Sequence, residues 1–153
     1  MRALVAALLL AMTAGGAALA AEQTEDVNPD YVLNIAKGFG SADMEQFNDG
    51  TPYVVGRMEG SRYGVFLIGC EDKPSCSIIQ FTAQFPGDKA SPAALNKWNL
   101  DKRFGKVGVA DNGKLWVTQA ILVGEGLPRP TIERYFALWQ LVLRDFKEVA
   151  AGQ

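Results

Sequence analysis

The sequence predicts an α+β fold, an antiparallel sheet carrying N-terminal, middle and long C-terminal helices in the order α-β-β-β-β-α-β-β-α. Three observations point there. Strand-like runs come in groups and do not alternate one for one with helices. Hairpin turn signals, Asp49-Gly50, Glu59-Gly60-Ser61 and Asp111-Asn112-Gly113, separate those runs. Residues 131–150 carry an apolar stripe at helical period.

The first twenty residues, MRALVAALLLAMTAGGAALA, stand apart from that fold. Arg2 supplies a short positive start, Ala3 to Met12 an apolar core, and Ala18-Leu19-Ala20 the small residues of a cleavage site between Ala20 and Ala21. The apolar core is too short to span about 30 Å of hydrocarbon. Residues 1–20 are therefore expected to be a cleaved secretory signal, and the protein periplasmic. No later run of eighteen apolar residues occurs, so no membrane span is expected once the signal is gone. Residues 21–27 are polar and expected to be a flexible leader. Residues 28–150 then form a single domain, long enough to bury a core without depending on cross-links.

Each element has a local cause. Asn28 can cap a first helix with Pro29 at its opening position; Val32, Ile35 and Ala36 recur at helical spacing, and Gly38 can end it. DMEQFND is a weak strand, PYVVGRM a second and YGVFLIGC a third. SIIQFTAQF alternates, with Ile79, Phe81, Ala83 and Phe85 on one side and Ile78, Gln80, Thr82 and Gln84 on the other. Ser91-Pro92 opens the middle helix, where Leu95 and Trp98 share a face. FGKVGVA and KLWVTQAILVG flank an Asn-Gly turn. In the last helix Ile132, Tyr135, Phe136, Trp139, Val142, Leu143, Phe146 and Val149 form one stripe, widened by Leu138 and Leu141. That stripe is expected to be core, with width to spare for a groove or a homodimer contact.

Composition closes several chemistries. The chain contains no histidine, which excludes Ser-His-Asp and Cys-His catalysis, imidazole zinc sites and histidine switching. Its net charge of −2, one unit more negative without Arg2, argues against nucleic acid as a partner.

Two cysteines, Cys70 and Cys76, bound the loop in GCEDKPSC. If the flanking strands pair as a hairpin, the cysteines face each other with Cα atoms about 4.5 Å apart, within disulfide range. An exported compartment is oxidising. A redox pair is the weaker alternative, because Glu71 and Asp72 adjoin Cys70 and the spacing is not C-x-x-C. Zinc lacks two further ligands. A structural disulfide is the expectation.

Other candidates carry little. Asp43, Glu45, Asp49 and Glu59 have no spacing that forces a carboxylate pair together. Asp111-Asn112-Gly113 lacks the later ligands of a calcium loop. Gly124-Glu125-Gly126 is followed by prolines where a phosphate-binding helix would start. No catalytic residue, metal or cofactor is expected. In NKWNLDKRFGK, Trp98 and Asn99 lie near the inward side of the helix; Asn99 is expected to tie the helix to adjoining backbone and Arg103 to pair on the rim, with ligand contact the other reading of the amide.

The series GTPYVVGRMEGSRYGVFLIGCEDKPSCSIIQFTAQF, LNKWNLDKRFGKVGVADNG and a tryptophan-bearing final helix resembles the YbjN-domain family, and more narrowly its exported proteobacterial members. The resemblance runs from about Asn28 to Val149. It implies the α+β fold of type III secretion chaperones and a sensory transduction regulator with no established catalytic residue. Chaperones of that fold dimerise and hold extended client segments, an analogy of fold alone. Two functions follow as expectations. The first is a non-enzymatic periplasmic protein that binds a protein or peptide through a sheet edge or groove. The second is a small-ligand carrier or enzyme with a pocket under the C-terminal helix.

Overall fold

The computed structural model describes residues 24–71 and 75–153. The cleavage position at Ala20 and Ala21, with the rest of the expected signal, lies outside them, as does Asp72 of the cysteine loop. Eleven elements follow in order: β1 (Thr24–Glu25), α1 (Pro29–Ala36), β2 (Ser41–Gln46), β3 (Pro52–Met58), β4 (Ser61–Ile68), β5 (Ile78–Phe85), α2 (Pro92–Asp101), β6 (Lys106–Val109), β7 (Leu115–Leu122), β8 (Leu127–Pro128) and α3 (Arg129–Ala150). The predicted α+β order stands, with two short strands, β1 and β8, added to it.

Local chemistry starts and stops these elements. Asn28 Oδ1 accepts the Tyr31 amide at 2.9 Å, and Ser91 Oγ that of Ala94 at 3.2 Å, so both shorter helices begin on a side-chain cap followed by proline. The last helix begins two residues earlier than its stripe suggests. Pro130 fits the opening turn, and Arg129 pairs with Glu133 one turn on at 2.8 Å while also donating to Asn34 of α1 at 2.9 Å.

β2 to β7 form one six-stranded antiparallel sheet in the order β2-β3-β4-β5-β7-β6. The period of two sends alternate side chains to opposite faces. Val54, Val65, Phe81 and Val117 point to the face that the helices cover, each fully buried. On the helices, Val32, Ile35, Leu95, Trp98, Ile132, Phe136, Trp139, Leu143 and Phe146 meet them. Rings interlock there: Phe81 meets Phe136 edge-on at 4.9 Å, and Phe146 meets both Phe85 at 5.4 Å and Trp98 at 5.2 Å.

The leader is not loose over residues 24–27. β1 pairs antiparallel with β8, and Val27 is 0 % exposed. A polar surround did not prevent one valine from joining the core.

Tyr63 is the other unusual core member. Its hydroxyl is buried without a hydrogen-bond partner among the described residues, and burial pushes its pKa up to about 12. Because the folded value lies above the ordinary value near 10, its share of stability is intact below pH 10 and lost as pH rises toward 12. Tyr63→Phe is expected to cost nothing at neutral pH, or to stabilise by up to about 1 kcal/mol, since it removes an unsatisfied group. It should also flatten an alkaline fall of about 1.4 kcal/mol between pH 7 and pH 11, at 1.36 kcal/mol per pH unit above pH 10. Urea midpoints at pH 7 and pH 11 measure both; a marked loss at neutral pH would mean the hydroxyl has a partner after all.

Candidate functional site

All three helices lie on one side, so the opposite face of the sheet has no cover among the described residues. Two kinds of residue populate it. Toward the cysteine loop, Ile68, Ile78 and Leu122 align in register across β4, β5 and β7. Leu122 is 77 % exposed and Ile68 45 %. Beside them Phe47, itself 47 % exposed, stacks on Tyr53 at 4.4 Å and on Phe66 at 5.7 Å. Farther along the strands the face turns polar, with Arg62, Thr82, Gln84 and Thr118. Thr82 and Thr118 are paired neighbours whose hydroxyls lie 3.1 Å apart.

A cleft of about 370 Å³ sits where these zones meet, lined by Tyr53, Phe66, Arg62, Thr82, Gln84 and Lys114. Its floor depends on Gly64. A Cβ there would lie 2.9 Å from the Phe66 ring, so only glycine lets that ring lie down on the sheet. Trp116 lies over Gly108 in the same manner. At the cleft's edge, Glu45 accepts from the Tyr53 hydroxyl at 2.7 Å and from Arg62 at 2.9 Å. The hydrogen bond to Glu45 is the main reason the Tyr53 hydroxyl holds its proton above the usual range. This arrangement offers an apolar platform, a guanidinium and hydrogen-bonding groups. Among the described residues no group of three His, Cys, Asp or Glu is placed to hold a metal ion.

The carboxylates singled out by sequence are scattered. Glu45 is engaged as above, Asp49 accepts the Thr51 amide at 2.9 Å within its own turn, and Glu59 accepts from Gln140 of α3 at 2.6 Å. Asp43 is exposed on β2. The Asp111-Asn112-Gly113 segment closes the hairpin between β6 and β7, with Gly113 at φ +76. Gly124 and Gly126 both have positive φ in the turn before β8. Beneath α3, Ile132, Phe136, Trp139, Leu143 and Phe146 are each 0 % exposed, so side chains fill that seam.

Cys70 and Cys76 stand at disulfide distance, with sulfurs 2.18 Å and Cα atoms 4.0 Å apart. The antiparallel register of β4 and β5, Ile68 opposite Ile78, runs on to set the two cysteines opposite one another. Geometry of pairing accounts for the contact without any further device.

On α2, Trp98 is buried and its Nε1 donates to the Gly105 carbonyl. Asn99 binds both backbone groups of Val107: Nδ2 donates to the carbonyl and Oδ1 accepts the amide, each at 3.0 Å. The amide thereby covers the outward backbone of Val107 on the edge strand β6. Arg103, expected to pair on the rim, is exposed and makes no ion pair among the described residues. Lys102 takes that place, reaching Asp145 at 3.0 Å and lying 5.2 Å from the Trp98 ring centre. Its hydrogen bond holds the Asp145 carboxyl below the usual carboxylate range. The longer reach of the fourth residue past Trp98 to α3 was not visible without the packing of the two helices.

Sequence reasoning missed the apolar platform. Ile68, Ile78 and Leu122 lie far apart in the chain, and only the strand register brings them into one row. The available signal was Ile78, the one apolar residue on the polar side of an alternating strand.

A family model named YbjN and described as "Putative bacterial sensory transduction regulator" matches residues 28–151. No curated protein and no solved structure matches the chain.

Proposed function

The chain belongs to the YbjN family, and we propose that it serves there as a non-enzymatic periplasmic protein whose regulatory role is exerted by binding a polypeptide on the open sheet face. The observation that carries this reading is the uncovered row Ile68, Ile78 and Leu122 beside the Phe47, Tyr53 and Phe66 cluster. Sheets that bury only one face normally turn polar side chains to water on the other. A contiguous apolar patch with a polar rim marks a contact surface. The adjoining cleft adds direction, since Arg62, Gln84 and Thr82 can hydrogen-bond a backbone or a carboxylate laid across it.

The test combines capture with surface substitution. Wild-type protein cross-linked in periplasm should yield a reproducible partner band. Leu122→Asp with Ile68→Asp should weaken binding of that partner roughly thirtyfold or more, the effect of losing about 2 kcal/mol at an interface centre. Both residues are exposed, so the protein should stay folded, with a loss of about 1–2 kcal/mol at most from placing Asp in β4 and β7. Binding that survives both substitutions, or turnover of a small substrate by the pure protein, would reject the reading.

A further inference from the structure

The cysteine loop holds more than its own hairpin. Cys76 donates its amide to the Val27 carbonyl at 2.8 Å, and Ser75 Oγ accepts the Val27 amide at 3.0 Å. Both backbone groups of Val27 are thus satisfied by the last two residues of the loop that the cysteines close. Val27 is 0 % exposed and Ser75 3 %, so water does not substitute for either bond. On its other side the same segment continues into β1, whose entire pairing is two residues on β8, Thr24 with Pro128 and Glu25 with Leu127. A two-residue bridge is too short to hold a strand by itself. The N-terminal segment therefore depends on the position of Ser75 and Cys76.

We infer that the Cys70–Cys76 bond acts as a redox-sensitive latch, docking residues 24–27 when oxidised and releasing them when a dithiol reductant opens it. The two sulfurs are not equally accessible. Cys76 is 2 % exposed whereas Cys70 is half-buried. An incoming thiolate therefore bonds to the Cys70 sulfur and breaks the Cys70–Cys76 bond. The electron pair leaves on the Cys76 sulfur, which takes a proton from water. The second thiol of the reductant then displaces Cys70, closing the reductant's own disulfide, and Cys70 leaves as a thiolate that protonates in turn. Two electrons and two protons pass to the protein.

What loosens is set by the neighbours. Ser77 is fixed independently of the disulfide, donating its amide to Ile68 at 2.9 Å and accepting that of Val123 at 2.9 Å, so β4, β5 and β7 remain joined. Cys70, Ser75 and Cys76 are freed of the cross-link, and the clamp on Val27 is lost with it. Release uncovers the outward backbone of β8 and the seat that Val27 fills. The effect is confined to one end of the molecule and does not depend on what the open sheet face binds.

Amide hydrogen exchange on the mature chain tests the latch in three forms: oxidised, reduced with dithiothreitol, and Cys70→Ser with Cys76→Ser. The Val27 and Cys76 amides should exchange at least tenfold faster in both opened forms, while Ile79 and Val117 change less than twofold. A Glu-specific protease should then cut after Glu25 faster in the opened forms. Ser75→Ala, with the disulfide intact, should speed Val27 exchange alone. Unchanged protection of Val27 on reduction overturns the proposal. So does acceleration spread evenly through β4, β5 and α3, which would make the disulfide a general staple. Should the double cysteine variant fail to fold, dithiothreitol-reduced protein and Ser75→Ala decide the matter without it.

Discussion

Truncating Trp139 to alanine lowers the unfolding free energy by about 3–5 kcal/mol, the range for emptying a large aromatic site in a core. Trp139 is 0 % exposed, and its ring lies 5.5 Å from that of Phe81 at the centre of the sheet. A domain of this size has roughly 5–15 kcal/mol in total, so the loss takes a large share. The neighbouring rings cannot close the gap, because each is already held by others: Phe81 by Phe136, and Phe136 by Phe39 at 5.4 Å. Trp139→Phe should be far milder, about 1 kcal/mol, for a reason beyond volume. The indole Nε1 is buried with no partner among the described residues, and phenylalanine removes that unsatisfied donor. Guanidinium unfolding of the three proteins, with unchanged slopes, measures the series. Similar midpoints for the alanine and phenylalanine variants would show that the ring is not packed as described.

Gly105→Ala is expected to cost about 2–5 kcal/mol, whereas Gly113→Ala costs only about 1–2. The two glycines have almost the same backbone, φ +77 and +76. An L-residue in that region costs about 1–2 kcal/mol at either position. Their surroundings differ. A Cβ at Gly113 meets nothing within 4 Å, but one at Gly105 would lie 2.6 Å from a Val142 methyl and 3.2 Å from one of Val117. Both neighbours are buried and cannot retreat, so overpacking adds about 1–3 kcal/mol at Gly105. The Gly105 carbonyl also accepts from Trp98, and the strain should reach α2. Thermal unfolding of each single variant gives the comparison. Equal losses would mean that conformation alone governs both sites.

Most of the fold was legible because its causes are local. Asn28-Pro29 and Ser91-Pro92 mark helix starts by chemistry that acts within one turn, and the alternation in SIIQFTAQF states which side of β5 is buried. Cys70 and Cys76 could be paired on paper because a hairpin register is a short-range property. The rest depended on distance in the chain. β1 and β8 are two residues each, below the length at which any pattern can be seen, and their pairing joins the two halves of the molecule. Val27 gave no sign of burial, since its neighbours are Asp26 and Asn28 and its partners are Ser75 and Cys76. The open face was hidden for the same reason: its row of Ile68, Ile78 and Leu122 exists only after three strands have been placed side by side. A stripe on one helix announces itself, but a patch assembled across a sheet does not.

The closure of β6 by Asn99 has a consequence for how the molecule could grow. With the outward backbone groups of Val107 on one rim bound by a side-chain amide, the β2 rim is the sheet edge that no side-chain amide occupies among the described residues. Added chains would extend the sheet more readily from that flank. A second subunit joined there by its own β2 would cover that edge in both copies and leave the two β6 rims, each with its Asn99 clamp, at the ends of the joined sheet.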